Sequence, residues 1–160
     1  MSDQRVTSSS SRSFPFTPKS NAAVERGDYW VVPTRRGGWY GCGLVLWNGR
    51  SSGSRVMICV GLADWCGPVA PTAEEVARFG IVDLGLAHVK TIADTGSQLI
   101  GASRFVRGPT EDELAERAGS LELPSWSRDY IELRLHSVFG RHFPDAPGVA
   151  AESPPGLAER

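Results

Sequence analysis

Histidines, cysteines and acidic residues are where catalysis would rest, and their spacing in this chain supports none. His88, His136 and His142 are scattered, and none has the partner signature of a general base. His136 and His142 stand six apart and Cys59 and Cys66 seven apart, spacings that match no common zinc site. Cys42 and Cys59 fall on neighbouring expected strands and read as small apolar residues. No Ser-centred nucleophile elbow and no Gly-x-x-x-x-Gly-Lys phosphate loop occurs. Asp28 follows Gly27 and reads as a turn former, and Glu111-Asp112-Glu113 suit the first turn of a helix. The expectation is a chain with no catalytic, cofactor-binding or metal-binding set.

Recognition residues are better represented. Arg35 and Arg36 lead into GGWYGCGLVLWN (37–48), and Arg50 and Arg55 follow it. As a strand, that segment points Trp39, Gly41, Gly43, Val45 and Trp47 one way and Tyr40, Cys42, Leu44 and Leu46 the other. The second set reads as core. The first places two large rings around bare backbone, and the glycines mark a bend in a curled sheet or the close approach of another backbone. Trp65 lies in an expected loop beside Cys66-Gly67-Pro68. Arg35, Arg36, Trp39, Trp47 and Trp65 are the candidate partner-binding residues, because Trp and Arg dominate interface hot spots. The alternative for the rings is a second packed layer beneath helices.

The elements that would carry these residues are short. Tyr29–Val32, Trp39–Trp47 and Arg55–Leu62 read as three meandering strands separated by an Arg-Arg-Gly-Gly loop and an Asn-Gly turn. Residues 63–70 read as a loop. PTAEEVARF (71–79) and GPTEDELAERAG (108–119) read as helices, each opened by a capping box, Thr72 with Glu75 and Thr110 with Glu113. Leu86–Ala93 and Gln98–Phe105 form a hairpin candidate, and DYIELRLH (129–136) alternates as a strand with Ile131, Leu133 and Leu135 inward. The expected class is α+β, a mainly antiparallel, curled, half-barrel-like sheet of about six strands with two short helices.

Composition sets the limits. Residues 1–24 and 144–160 are rich in Ser, Pro, Ala and Gly and read as disordered tails around a single domain at 25–143. Net charge is −1, so no global field draws the chain to nucleic acid or lipid. Lys19 and Lys90 are the only lysines, which leaves arginine as the directional cation. The chain lacks a membrane-length apolar run and the hydrophobic segment of a signal peptide. Three cysteines without a disulfide rhythm point to a reducing cytoplasm.

RGDYWVVPTRRGGWYGCGLVL resembles the opening of the immunity protein 26 family of bacterial polymorphic toxin systems. Gly27, Asp28, Trp30, Pro33, Gly38, Tyr40, Gly41 and Gly43 fit its pattern in order: a Gly-Asp step, an aromatic strand ending in proline, a glycine turn, then aromatic-Gly-x-Gly. LGLAHVKTIADTGSQLIG is similar to the family's second block, and the two blocks touch most of residues 26–103. The 71–79 helix and residues 110–143 carry no matching motif. The resemblance implies a non-enzymatic protein that binds a cognate toxin domain inside the producing cell. The opening is also similar to that of MazF/PemK-type endoribonucleases. Cys42-Gly43-Leu44-Val45 replaces their Arg-Pro-x-Leu-Val, and Arg55-Val56-Met57-Ile58 lacks the hydroxyls of their next strand. A third reading is an aromatic cage of Trp39, Tyr40 and Trp47, which the opposite facing of Tyr40 disfavours.

Overall fold

Gly27, in the left-handed region at φ 102, turns the chain into β1 (Asp28–Pro33). The computed structural model describes residues 12–34, 38–96, 98–127 and 129–140. β2 (Tyr40–Trp47), β3 (Met57–Gly67), β4 (Ile81–His88) and β5 (Gly101–Ala102) complete one antiparallel sheet, ordered β4-β3-β2-β1-β5. The helices are α1 (Ala73–Val76), α2 (Lys90–Thr95), α3 (Glu111–Gly119) and α4 (Tyr130–Phe139). The fold is α+β with an antiparallel sheet, as expected. Among the described residues it has five strands rather than six, and four α-helices rather than two.

The sheet is buried on both faces. Trp30, Val32, Val45, Ile58, Val60 and Leu62 pack under α2 and α4, which contribute Ile92, Ile131, Leu135 and Phe139. Tyr29, Cys42, Leu44, Leu46, Trp47, Cys59 and Ala63 pack under α1 and α3, which contribute Val76 and Leu114. Two covered faces explain why β3 is buried continuously from Ile58 to Ala63. A half-solvated strand would alternate.

Both capping boxes form. Thr72 Oγ1 accepts from Glu75 N at 3.2 Å while Glu75 Oε1 accepts from Thr72 N at 2.9 Å. The Thr110–Glu113 pair repeats this at 3.1 and 2.8 Å. The end of α3 is less ordinary. Leu121 donates to the Ala118 carbonyl and Glu122 to the Arg117 carbonyl, a Schellman closure with leucine at φ 61 in the position glycine favours. Leu121 is 90% exposed, so no packing offsets the strain. Leu121→Gly is expected to stabilise the fold by about 1 kcal/mol, read from urea unfolding; a loss of stability would refute the strain argument.

Several expectations need correction. Residues 130–139 are helix, because Ile131, Leu135 and Phe139 recur at helical spacing and are buried, whereas Leu133 is 54% exposed. The 86–93 strand ends at His88 and continues as α2, and the 98–105 strand is reduced to β5 and a bridge between Leu99 and Phe16. Residues 63–67 extend β3 instead of forming a loop. The expected tail 1–24 is not a tail from residue 12 onward: Phe14 and Phe16 pack on the core and Val24 is wholly buried. The expected tail 144–160 lies outside the described residues, as do Arg35 and Arg36.

Candidate functional site

The three candidate tryptophans do not share a surface. Trp47 is 4% exposed and lies in the core under α1 and α3. A bulge moves it there: Val45 pairs with Val60 but Trp47 with Cys59, so β2 carries one extra residue and Leu46 and Trp47 turn to the same core. Trp65 stands on β3, half-buried, stacked on Phe79 with ring centroids 5.8 Å apart. Trp39 is half-buried against the opposite core, the one containing Trp30 and Leu135. Trp47 is thus a core residue and not an exposed anchor, whereas Trp39 and Trp65 are partly exposed and pack on opposite cores.

The bare backbone between the rings has an occupant. Trp30 lies across Gly43, where a Cβ would stand 2.5 Å from its Cζ2. Leu135 of α4 lies across Gly41, where a Cβ would come within 2.9 Å of Cδ2 and closer still to Cδ1. Trp30 is wholly buried, and its Nε1 donates to Thr95 Oγ1 at 2.9 Å, which in turn donates to the Thr91 carbonyl at 2.7 Å. The glycines thus admit an indole and a helix, and the register shift between Gly41 and Gly43 adds the expected irregularity.

Where β1 ends, the structure forms a small cleft of about 180 Å³ lined by Pro33, Thr34, Glu132, Leu135 and His136. Thr34 N donates to the Trp39 carbonyl at 3.0 Å and closes the β1–β2 hairpin there. Glu132 and His136 are one helical turn apart on α4, so a carboxylate and an imidazole share the rim. Such a rim suits a cationic or hydrogen-bond-donating side chain. Small-molecule sites usually occupy roughly 300–1,000 Å³, so this cleft fits one or two side chains of a partner. Arg35 and Arg36 follow Thr34 directly in sequence.

A second polar cluster is engaged in the fold. Tyr130 Oη donates to Asp83 Oδ2 at 2.7 Å, Arg134 Nε donates to the same oxygen at 2.9 Å, and Leu84 N donates to Asp83 Oδ1 at 2.9 Å. This cluster ties α4 to β4, and the bond to Asp83 raises the Tyr130 phenol above its ordinary range. Burial pushes the Cys59 thiol up to about 12 and raises Cys42 and Cys66 as well, which keeps them in the weakly nucleophilic thiol form. Among the described residues no three His, Cys, Asp or Glu side chains gather as a metal site. No helix of the described residues is long and apolar enough to cross a membrane.

Sequence reading missed that Glu132 and His136 share one rim and that Tyr130 and Arg134 share Asp83 because it took 129–136 as a strand. The helical spacing of Ile131, Leu135 and Phe139 was the available signal. Comparison of the chain with protein-family models, with curated proteins and with solved structures finds no match in any of the three.

Proposed function

We propose that this protein is a cytoplasmic, non-enzymatic immunity protein that neutralises a cognate bacterial toxin domain by binding it. The observation carrying this reading is that the two sequence blocks resembling the immunity protein 26 family interlock. Trp30 of the first block bonds Thr95 of the second, and Gly96 lies against the same indole. The bonded residues are 65 apart in sequence, so the two blocks pack as one unit.

We assign the partner contact to the Glu132–His136 rim at the end of β1, with Arg35 and Arg36, which follow Thr34 in sequence, as its candidate cations. A rigid two-sided core behind that rim keeps the loss of freedom on binding small. Of the three tryptophans, Trp39 packs on the core behind this rim.

The test is to express the neighbouring gene's C-terminal domain and ask whether it is toxic and whether this protein restores growth. Rescue with a stoichiometric complex is expected. Arg36→Ala with Glu132→Ala should weaken that complex by at least about tenfold, the effect of losing one hot spot, while leaving urea unfolding unchanged. Ribonuclease activity of the purified protein alone, lost in Arg55→Ala, would overturn the reading in favour of the endoribonuclease alternative.

A further inference from the structure

Residues 12–18, RSFPFTP, lie along the body as a strap that bends at Phe14-Pro15. Arg12, Phe14, Phe16 and Pro18 face inward while Ser13, Pro15 and Thr17 are exposed, the alternation of a strand laid on a surface. Arg12 Nη1 and Nη2 reach Asp28 Oδ2 and Oδ1, each at 2.7 Å. Asp28 is wholly buried, and its Oδ2 also accepts from Glu25 N at 2.9 Å. Phe16 exchanges both backbone bonds with Leu99, at 3.1 and 2.9 Å, beyond the short edge strand β5. Phe14 and Phe16, with ring centroids 5.4 Å apart, pack on the core under α2 and α4.

The strap ends at a firm anchor. Asn21 is 3% exposed, and its Nδ2 donates to the Ser54 carbonyl at 2.7 Å and the Met57 carbonyl at 3.1 Å. Its backbone N donates to the Arg55 carbonyl at 2.8 Å. Lys19 is exposed between these two regions, and Ser20 caps the Asn21–Ala23 turn, so the chain can part from the body up to Lys19 while Ser20 stays with Asn21.

Beneath the strap lies a complete peptide site: a buried carboxylate shaped for a guanidinium, an apolar seat for two aromatics, and a backbone edge at Leu99. We propose that this groove is a docking site for an Arg-x-aromatic-x-aromatic segment of a partner protein, and that residues 12–18 are its releasable intramolecular occupant. The guanidinium, the two rings and the Phe16 backbone are groups that another segment of that pattern supplies, the last through a single antiparallel bridge at Leu99. The bidentate arginine sets specificity, because lysine cannot fill both carboxylate oxygens in the same plane. The tether keeps the local occupant at a high effective concentration and so suppresses weak competitors. This inference goes beyond the toxin reading and holds or fails whatever the neighbouring gene encodes.

The experiment uses the full chain carrying a specific protease site between Lys19 and Ser20, with the synthetic labelled peptide RSFPFTP as probe. After cleavage and dilution, the peptide is expected to bind on the order of a hundredfold more tightly than it binds the uncut chain. Replacing its arginine by alanine should abolish binding. Should the cut chain unfold, refolding on addition of the peptide supports the site, and failure to refold overturns it. A folded cut chain that ignores the peptide, or binds the arginine-less version equally well, also overturns it. If the uncut chain instead forms a dimer that Asp28→Asn dissolves, the occupant in trans is a second copy and the partner-protein assignment is wrong.

Discussion

Arg12→Ala is expected to destabilise the protein by about 3–5 kcal/mol, the cost of leaving a buried charge without its partner. The magnitude follows from burial and not from distance. Arg12–Asp28 and Arg50–Glu25 both close at 2.7 Å, but the Asp28 side chain is 0% exposed and that of Glu25 is 50% exposed. Glu25→Ala should therefore cost only about 0–1 kcal/mol, as for surface pairs generally. Adding Asp28→Asn to Arg12→Ala should recover part of the loss, because asparagine still accepts from Glu25 N and carries no charge to strand. Urea unfolding of the single and double variants reads the coupling. A cost below about 1 kcal/mol for Arg12→Ala would mean that the pair behaves as a surface pair and that the strap is not seated.

The second large effect reverses the sign that residue preference alone dictates. Alanine is favoured over glycine inside a strand by roughly 0.5–1 kcal/mol, so Gly43→Ala would stabilise an isolated strand. In this fold the new methyl meets the Trp30 indole, which is wholly buried and held by Thr95. The ring cannot yield without breaking that bond, and the substitution is expected to cost about 1–3 kcal/mol, as for other overpacked cores. Gly41→Ala is the internal control. Its methyl meets the terminal carbons of Leu135, which rotate, so its cost should be smaller than that of Gly43→Ala. If both variants are equally mild, or Gly43→Ala stabilises, the indole does not rest on that backbone.

Local features were legible from the residues. The capping boxes at Thr72 and Thr110 involve groups three residues apart and formed as read. The β1–β2 and β2–β3 hairpins followed from the Arg-Arg-Gly-Gly sequence at 35–38 and the Asn-Gly turn, and the antiparallel α+β class followed from them. The segment at 129–136 misled because Ile131, Leu133 and Leu135 fit a strand over eight residues; only Phe139, beyond that window, selects the helix. The candidate site suffered accordingly, since Glu132 and His136 stand one turn apart only in a helix.

What the chain determined by itself is what neighbours in sequence can satisfy: caps, turns and the Gly-Asp entry into the sheet. The tertiary structure decided which faces are covered. It placed Trp30 on Gly43, rotated Trp47 inward at a bulge, and seated residues 12–18 on Asp28 and Leu99. Composition reads residues 12–18 as a tail because their own apolar surface is small. Their order comes from a buried carboxylate and an open sheet edge supplied by residues far along the chain, and no local pattern reports those.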